Sequence, residues 1–120
     1  PAIKKHNKYA SAAVFPNWFN VRQKWADWKL DAFFPMMYNG FYNRDSDWII
    51  SECSKQKKRL KYDAQIYCGL FTEHVVPEEF EIFYNKLLSA GVRGICFYDA
   101  KLLARNSQKD LVCNLHLLDR

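Results

Sequence analysis

At 120 residues the chain has room for one domain or one piece of a domain. With 49% hydrophobic and 17% aromatic residues, and only four Gly and four Pro, it is excluded from the disordered and low-complexity classes. The net charge of +5 would suit nucleic acid, but the cations gather in Lys4–Lys5 and at Lys55, Lys57, Lys58, Arg59 and Lys61. The second group closes a predicted helix, where positive charge favours the dipole and faces water, so no nucleic-acid partner is expected.

In chain order, the first predicted strand is KYASAAVF (8–15). Pro16, Asn17 and Trp18 follow it, then a helix over about 18–28 with Val21, Trp25 and Trp28 on one stripe. The second strand, DAFFPMMY (31–38), empties into Tyr38, Asn39, Phe41 and Tyr42. A helix over about 45–60 comes next, capped by Asp45 or Ser46, with Trp48, Ile49, Cys53 and Leu60 on its apolar side. AQIYCGLF (64–71) is the third strand, and Thr72, Glu73 and His74 follow it. The next helix has the clearest punctuation: Pro77 at its first position, Glu78 and Glu79 in its first turn, Phe80, Phe83, Tyr84, Leu87 and Leu88 as its stripe, and Gly91 as its stop. The fourth strand is RGICFYDA (93–100), ending at Tyr98 and Asp99, and a last helix lies within 101–118.

None of the four strands alternates cleanly, which is the pattern of parallel strands covered on both faces. The chain is therefore an α/β protein of four consecutive βα units with parallel strands. No G-x-G-x-x-G or P-loop sequence is present, which argues against a doubly wound nucleotide binder. An eight-unit barrel spends about 31 residues per unit, so four units amount to half of a TIM (β/α)8 barrel. Half a barrel leaves two open edges and one uncovered apolar face. A missing N-terminal half-barrel, or a second copy, is expected to complete the sheet.

Cys53, Cys68, Cys96 and Cys113 stand 15, 28 and 17 positions apart, which matches no zinc pattern. All four are expected to be reduced and structural, with Cys68 and Cys96 inside buried strands. His6 and His116 have no partner at ligand spacing, so neither a metal nor a cofactor is expected. No apolar run is long enough to span a membrane. The start at Pro1 is expected of a fragment or processed chain, whose targeting signal would lie upstream.

Several stretches carry a family resemblance: VFPNW (14–18), VRQKWADWKLDAFFPMMYNGFYNRDSDW (21–48), GLFTE (69–73) and GVRGICFYD (91–99). They resemble the C-terminal half of a family of glycoside-hydrolase-like (β/α)8 proteins typical of Bacteroidetes, near the YddW-type lipoproteins. The most specific match is R-Q-x-W-x-x-W-x-L-D followed by F-F-P-M-x-Y, and the likeness covers the chain to about residue 103. It implies that the four strands are barrel strands 5 to 8, that the substrate is a poly- or oligosaccharide, and that the protein works outside the cytoplasm. In many retaining barrel glycosidases the nucleophile follows strand 7, the place Glu73 would hold; their general acid usually follows strand 4, outside this chain.

Barrel active sites lie at the C-terminal ends of the strands, and glycoside hydrolysis needs two carboxyl groups about 5–9.5 Å apart. Glu73 and Asp99 are the candidate catalytic carboxylates, each competing with a plain role as loop residue or helix cap. Asn17, Trp18, Tyr38, Asn39, Tyr42 and His74 are the candidate substrate contacts, because sugar rings stack on aromatic faces while amides and phenols bond to hydroxyls. Trp25, Trp28 and Trp48 sit on helix stripes and are assigned to the core, and Asp31, preceding its strand, to the opposite face. The competing function is a catalytically silent carbohydrate-binding or structural barrel. A phosphate-binding metabolic barrel would need glycine-rich loops that Thr72–Val76 and Ala100–Ala104 lack, and no G-x-S-x-G exists for an esterase.

Overall fold

The computed structural model describes residues 5–16 and 23–98. Within them are strands β1 (Ser11–Val14), β2 (Ala32–Pro35), β3 (Gln65–Phe71) and β4 (Gly94–Tyr98), with helices α1 (Ser46–Arg59) and α2 (Phe80–Ser89). The strands form one sheet in the order β1-β2-β3-β4, every neighbouring pair parallel. That order never reverses among the described strands, so the crevice that doubly wound folds place at a reversal point is absent from them.

Local signals account for the two helices. Asp45 caps α1, its side chain accepting the Trp48 N–H at 2.9 Å, and Lys57, Lys58 and Arg59 occupy the last turn, where cations suit the dipole. Lys57 also donates to the Ala64 carbonyl at 2.8 Å, tying the helix end to the start of β3. The chain enters α2 through a 3₁₀ turn, Pro77–Glu79. It leaves at Gly91, whose φ of +95° belongs to the left-handed region that glycine adopts without steric cost. Of the helix expected over 18–28, residues 18–22 lie outside the described residues, and the rest contains a single 3₁₀ turn, Trp25–Asp27. The last helix expected, within 101–118, also lies outside them.

The helices cover one face of the sheet. Phe33, Met37, Ile66, Cys68 and Leu70 from the strands join Ile49 and Cys53 of α1 and Phe80, Tyr84 and Leu87 of α2 in one buried core, each large side chain contributing about 1.5–3 kcal/mol by leaving water. Trp25 is buried against Phe33, ring centres 4.9 Å apart, and its indole N–H donates to the Phe15 carbonyl. Asp31 works at the N-terminal end of the strands, as expected, accepting the Ala10 N–H at 2.7 Å. Cys53 and Cys68 are free and buried in contact; the hydrogen bond between them, and then burial, push the Cys68 thiol well above its ordinary value.

Among the described residues no helix covers the other face. Phe34 and Tyr67 stack there, centres 5.0 Å apart, in a row that runs Ala13–Phe34–Tyr67–Gly94 across the sheet, and both rings are only half-buried. Cys96, expected inside, is exposed on this face, because it alternates with the inward Ile95 and Phe97. Trp28, expected in the core, is 40% exposed; the chain has left its 3₁₀ turn there in extended conformation, so the helical spacing that would align it with Trp25 does not exist.

Candidate functional site

The C-terminal ends of β2, β3 and β4 gather an aromatic rim. Met36 bridges to Gly69 and the Met37 N–H donates to the Gly69 carbonyl at 2.9 Å, so the β2–β3 ladder persists until the chain turns outward at Tyr38. A 3₁₀ turn, Asn39–Tyr42, follows and closes at Asn43 in the left-handed region, φ 52°. The Asn39 amide nitrogen donates to the Arg44 carbonyl at 3.1 Å, so this candidate ligand contact also holds its own turn closed. From β3 the chain enters the 3₁₀ turn Thr72–His74. Thr72 is buried and its hydroxyl donates to the Tyr98 carbonyl at 3.0 Å, joining the ends of β3 and β4.

Four rings meet at this edge. Tyr38 lies 5.8 Å from Phe71, 6.2 Å from Tyr98 and 6.3 Å from Phe41, centre to centre. Phe71 lies over Tyr98 at 6.0 Å, nearly parallel, and meets Phe41 edge-on at 5.1 Å. The cluster is open to water: Phe41 is 66% and Tyr98 55% exposed. Burial pushes the Tyr38 hydroxyl above its ordinary 10.0, with Cys96, Tyr98 and Tyr42 adding to it, and burial does the same for Tyr42. Both phenols are therefore neutral at pH 7 and can donate hydrogen bonds.

His74 is held inside this arrangement. Its ring lies 4.8 Å from Phe71 and 5.1 Å from Phe41, and its Nδ1 accepts the Gly40 N–H at 3.2 Å. Tyr42 faces the other way, against Trp48 of α1 at 5.6 Å. Glu73 is exposed on the turn beside His74. Asn17, Trp18 and Asp99 lie outside the described residues. The structure thus brings Tyr38 and His74 to the same two phenylalanines, with Asn39 and Glu73 at the margin and Tyr42 turned toward the helix.

Phe41, Phe71 and Tyr98 complete the rim and were not among the candidate contacts read from the sequence. Parallel register could have found two of them: Phe71 pairs with Tyr98 across β3 and β4, on the face that carries Tyr67 and Gly69. Among the described residues no group of three or more His, Cys, Asp or Glu side chains could hold a metal ion, and no helix is long and apolar enough to cross a membrane. A scan against protein-family models, a search of curated proteins and a search of solved structures find no match to this chain.

Proposed function

We propose that this chain is the C-terminal half of a (β/α)8 barrel of glycoside-hydrolase type, and that its aromatic rim takes a poly- or oligosaccharide. The observation that carries the reading is the half-open cluster of Tyr38, Phe41, Phe71 and Tyr98 at the C-terminal ends of parallel strands. That end is where barrel enzymes put their sites, and exposed rings with neutral phenols suit the apolar faces and hydroxyls of sugars. The sequential strand order, with both described helices on one face, supports the half-barrel. The central strands present large side chains on the open face, Phe34 and Tyr67, while the edge strands present Ala13 and Gly94 in the same row. A second four-stranded half, supplied by an N-terminal partner segment or another copy, would fit against such a surface.

In this reading Glu73 supplies one carboxyl group and the other comes from Asp99 or from the missing half. The sequence resemblance adds a location outside the cytoplasm. Binding is tested by titrating the chain with cello-, xylo-, malto- and manno-oligosaccharides: one series binds, and Tyr38→Ala or Phe41→Ala weakens it about tenfold, the loss of one stacking contact. Absence of binding to every series sinks the carbohydrate reading. Hydrolysis is tested in the complete barrel, where Glu73→Gln removes turnover and keeps binding. Unchanged turnover in Glu73→Gln removes Glu73 as the catalyst, and binding without any turnover by the wild-type barrel leaves the alternative, a catalytically silent carbohydrate-binding domain.

A further inference from the structure

The rim turn Asn39–Tyr42 is fastened to the end of β3 by one imidazole. Gly40 donates its N–H to His74 Nδ1 at 3.2 Å, and the His74 ring lies so close over Gly40 that a Cβ there would fall among Nε2, Cε1 and Cδ2. Phe41 and Phe71 enclose the ring. An accepting Nδ1 must keep its lone pair, so the ring proton sits on Nε2 and the imidazole is neutral. An imidazolium offers only donors and would set an N–H against the Gly40 N–H.

We propose that His74 is the positioning residue of the rim: its neutral ring clamps the Asn39–Tyr42 turn, and with it Phe41, onto β3, and its protonation releases them. The clamp deepens the carbohydrate reading by making the ligand surface conditional on proton concentration, and it acts through Gly40 rather than by touching ligand. The titratable groups beside the ring are Glu73 on its own turn and Glu79 from the next turn, which lines the same small crevice; Tyr42 on the clamped turn faces Trp48 instead. Strand β3 meets it through Phe71; Ser46 and Ile49 of α1 and Phe80 of α2 line the crevice and carry no charge.

The decisive experiment measures the exchange protection of the Gly40 amide by nuclear magnetic resonance on the 120-residue chain at about pH 8 and pH 5, the interval in which histidine changes charge. The wild-type chain is expected to protect Gly40 at the higher pH and lose about tenfold at the lower, the worth of one hydrogen bond of about 1.4 kcal/mol. His74→Asn puts an amide oxygen where Nδ1 was, and it keeps protection at both pH values. His74→Phe keeps the ring and loses the acceptor, so Gly40 is unprotected at both. Equal wild-type protection at the two pH values, or full protection in His74→Phe, overturns the clamp. These readouts use no sugar, so they fail separately from the carbohydrate reading. With the bound oligosaccharide series as probe, acid weakens binding in the wild type and leaves His74→Asn unchanged.

Discussion

The two faces of the sheet use similar side chains to different ends. On the helix side Phe33 and Ile66 are fully buried and Leu70 nearly so, in the core that α1 and α2 cover. On the other side Phe34 and Tyr67 stack on one another and remain half-buried. Burial, and not hydrophobicity alone, decides what a ring contributes: a ring enclosed on all sides gains its full transfer energy and dispersion contacts, while one facing solvent keeps only its pair contact. Among the described residues the first face therefore holds the fold, and the second contributes less to it.

That contrast sets the largest expected effect. Phe33→Ala should cost about 3–5 kcal/mol, a large share of the roughly 5–15 kcal/mol that stabilises a domain, whereas Tyr67→Ala in the isolated chain should cost about 1 kcal/mol. Urea denaturation of both variants measures this, and equal losses would mean that the open face is covered. Pairing with a second half-barrel should raise the Tyr67→Ala cost toward that of Phe33→Ala.

Glycines sharpen the same contrast at smaller magnitude. A Cβ on Gly69 would stand 2.8 Å from the Pro35 carbonyl oxygen, and backbone in a ladder cannot move aside. Gly69→Ala should therefore cost about 1–3 kcal/mol. A Cβ on Gly94 would meet the edge of the Tyr67 ring at 3.2 Å, and that half-exposed ring can tilt, so Gly94→Ala should cost less. Thermal melts of the pair decide it, and a larger loss at Gly94 would show that the Tyr67 ring is fixed.

The smallest effect is on pH. The folded chain raises the Tyr38 and Tyr42 hydroxyls above 10.0, so it keeps their protons at a pH where the unfolded chain has begun to lose them. Their contribution to stability is complete below pH 10 and fades as pH climbs through the folded values. Tyr38→Phe should flatten that alkaline fall in melting temperature, and an unchanged slope would assign it to other groups.

Much of the candidate site was legible and some was not, for reasons of distance along the chain. Tyr38, Asn39, Glu73 and His74 follow strands whose ends the sequence marks, so their place at the rim could be read in advance. The bond between Gly40 and His74 joins residues 34 positions apart, and no local pattern announces it. Tyr98 was placed at the end of its strand, but Phe71 was hidden inside an apolar run, where only the register of β3 on β4 separates a rim ring from a core ring. Trp28 and Cys96 went to the core on periodicity and composition, and both are exposed, since neither signal says which faces will have a neighbour.

By itself the sequence determined the local elements: four apolar strands, a helix cap at Asp45 or Ser46, the Pro77 entry and the Gly91 exit, because capping, proline geometry and left-handed backbone are settled within a few residues. The tertiary structure alone decided which side chains the helices cover and which stay exposed, as with Trp28 and Cys96, and that His74 closes on Gly40. Those outcomes depend on contacts between distant segments, whose energies exist only once the sheet has formed.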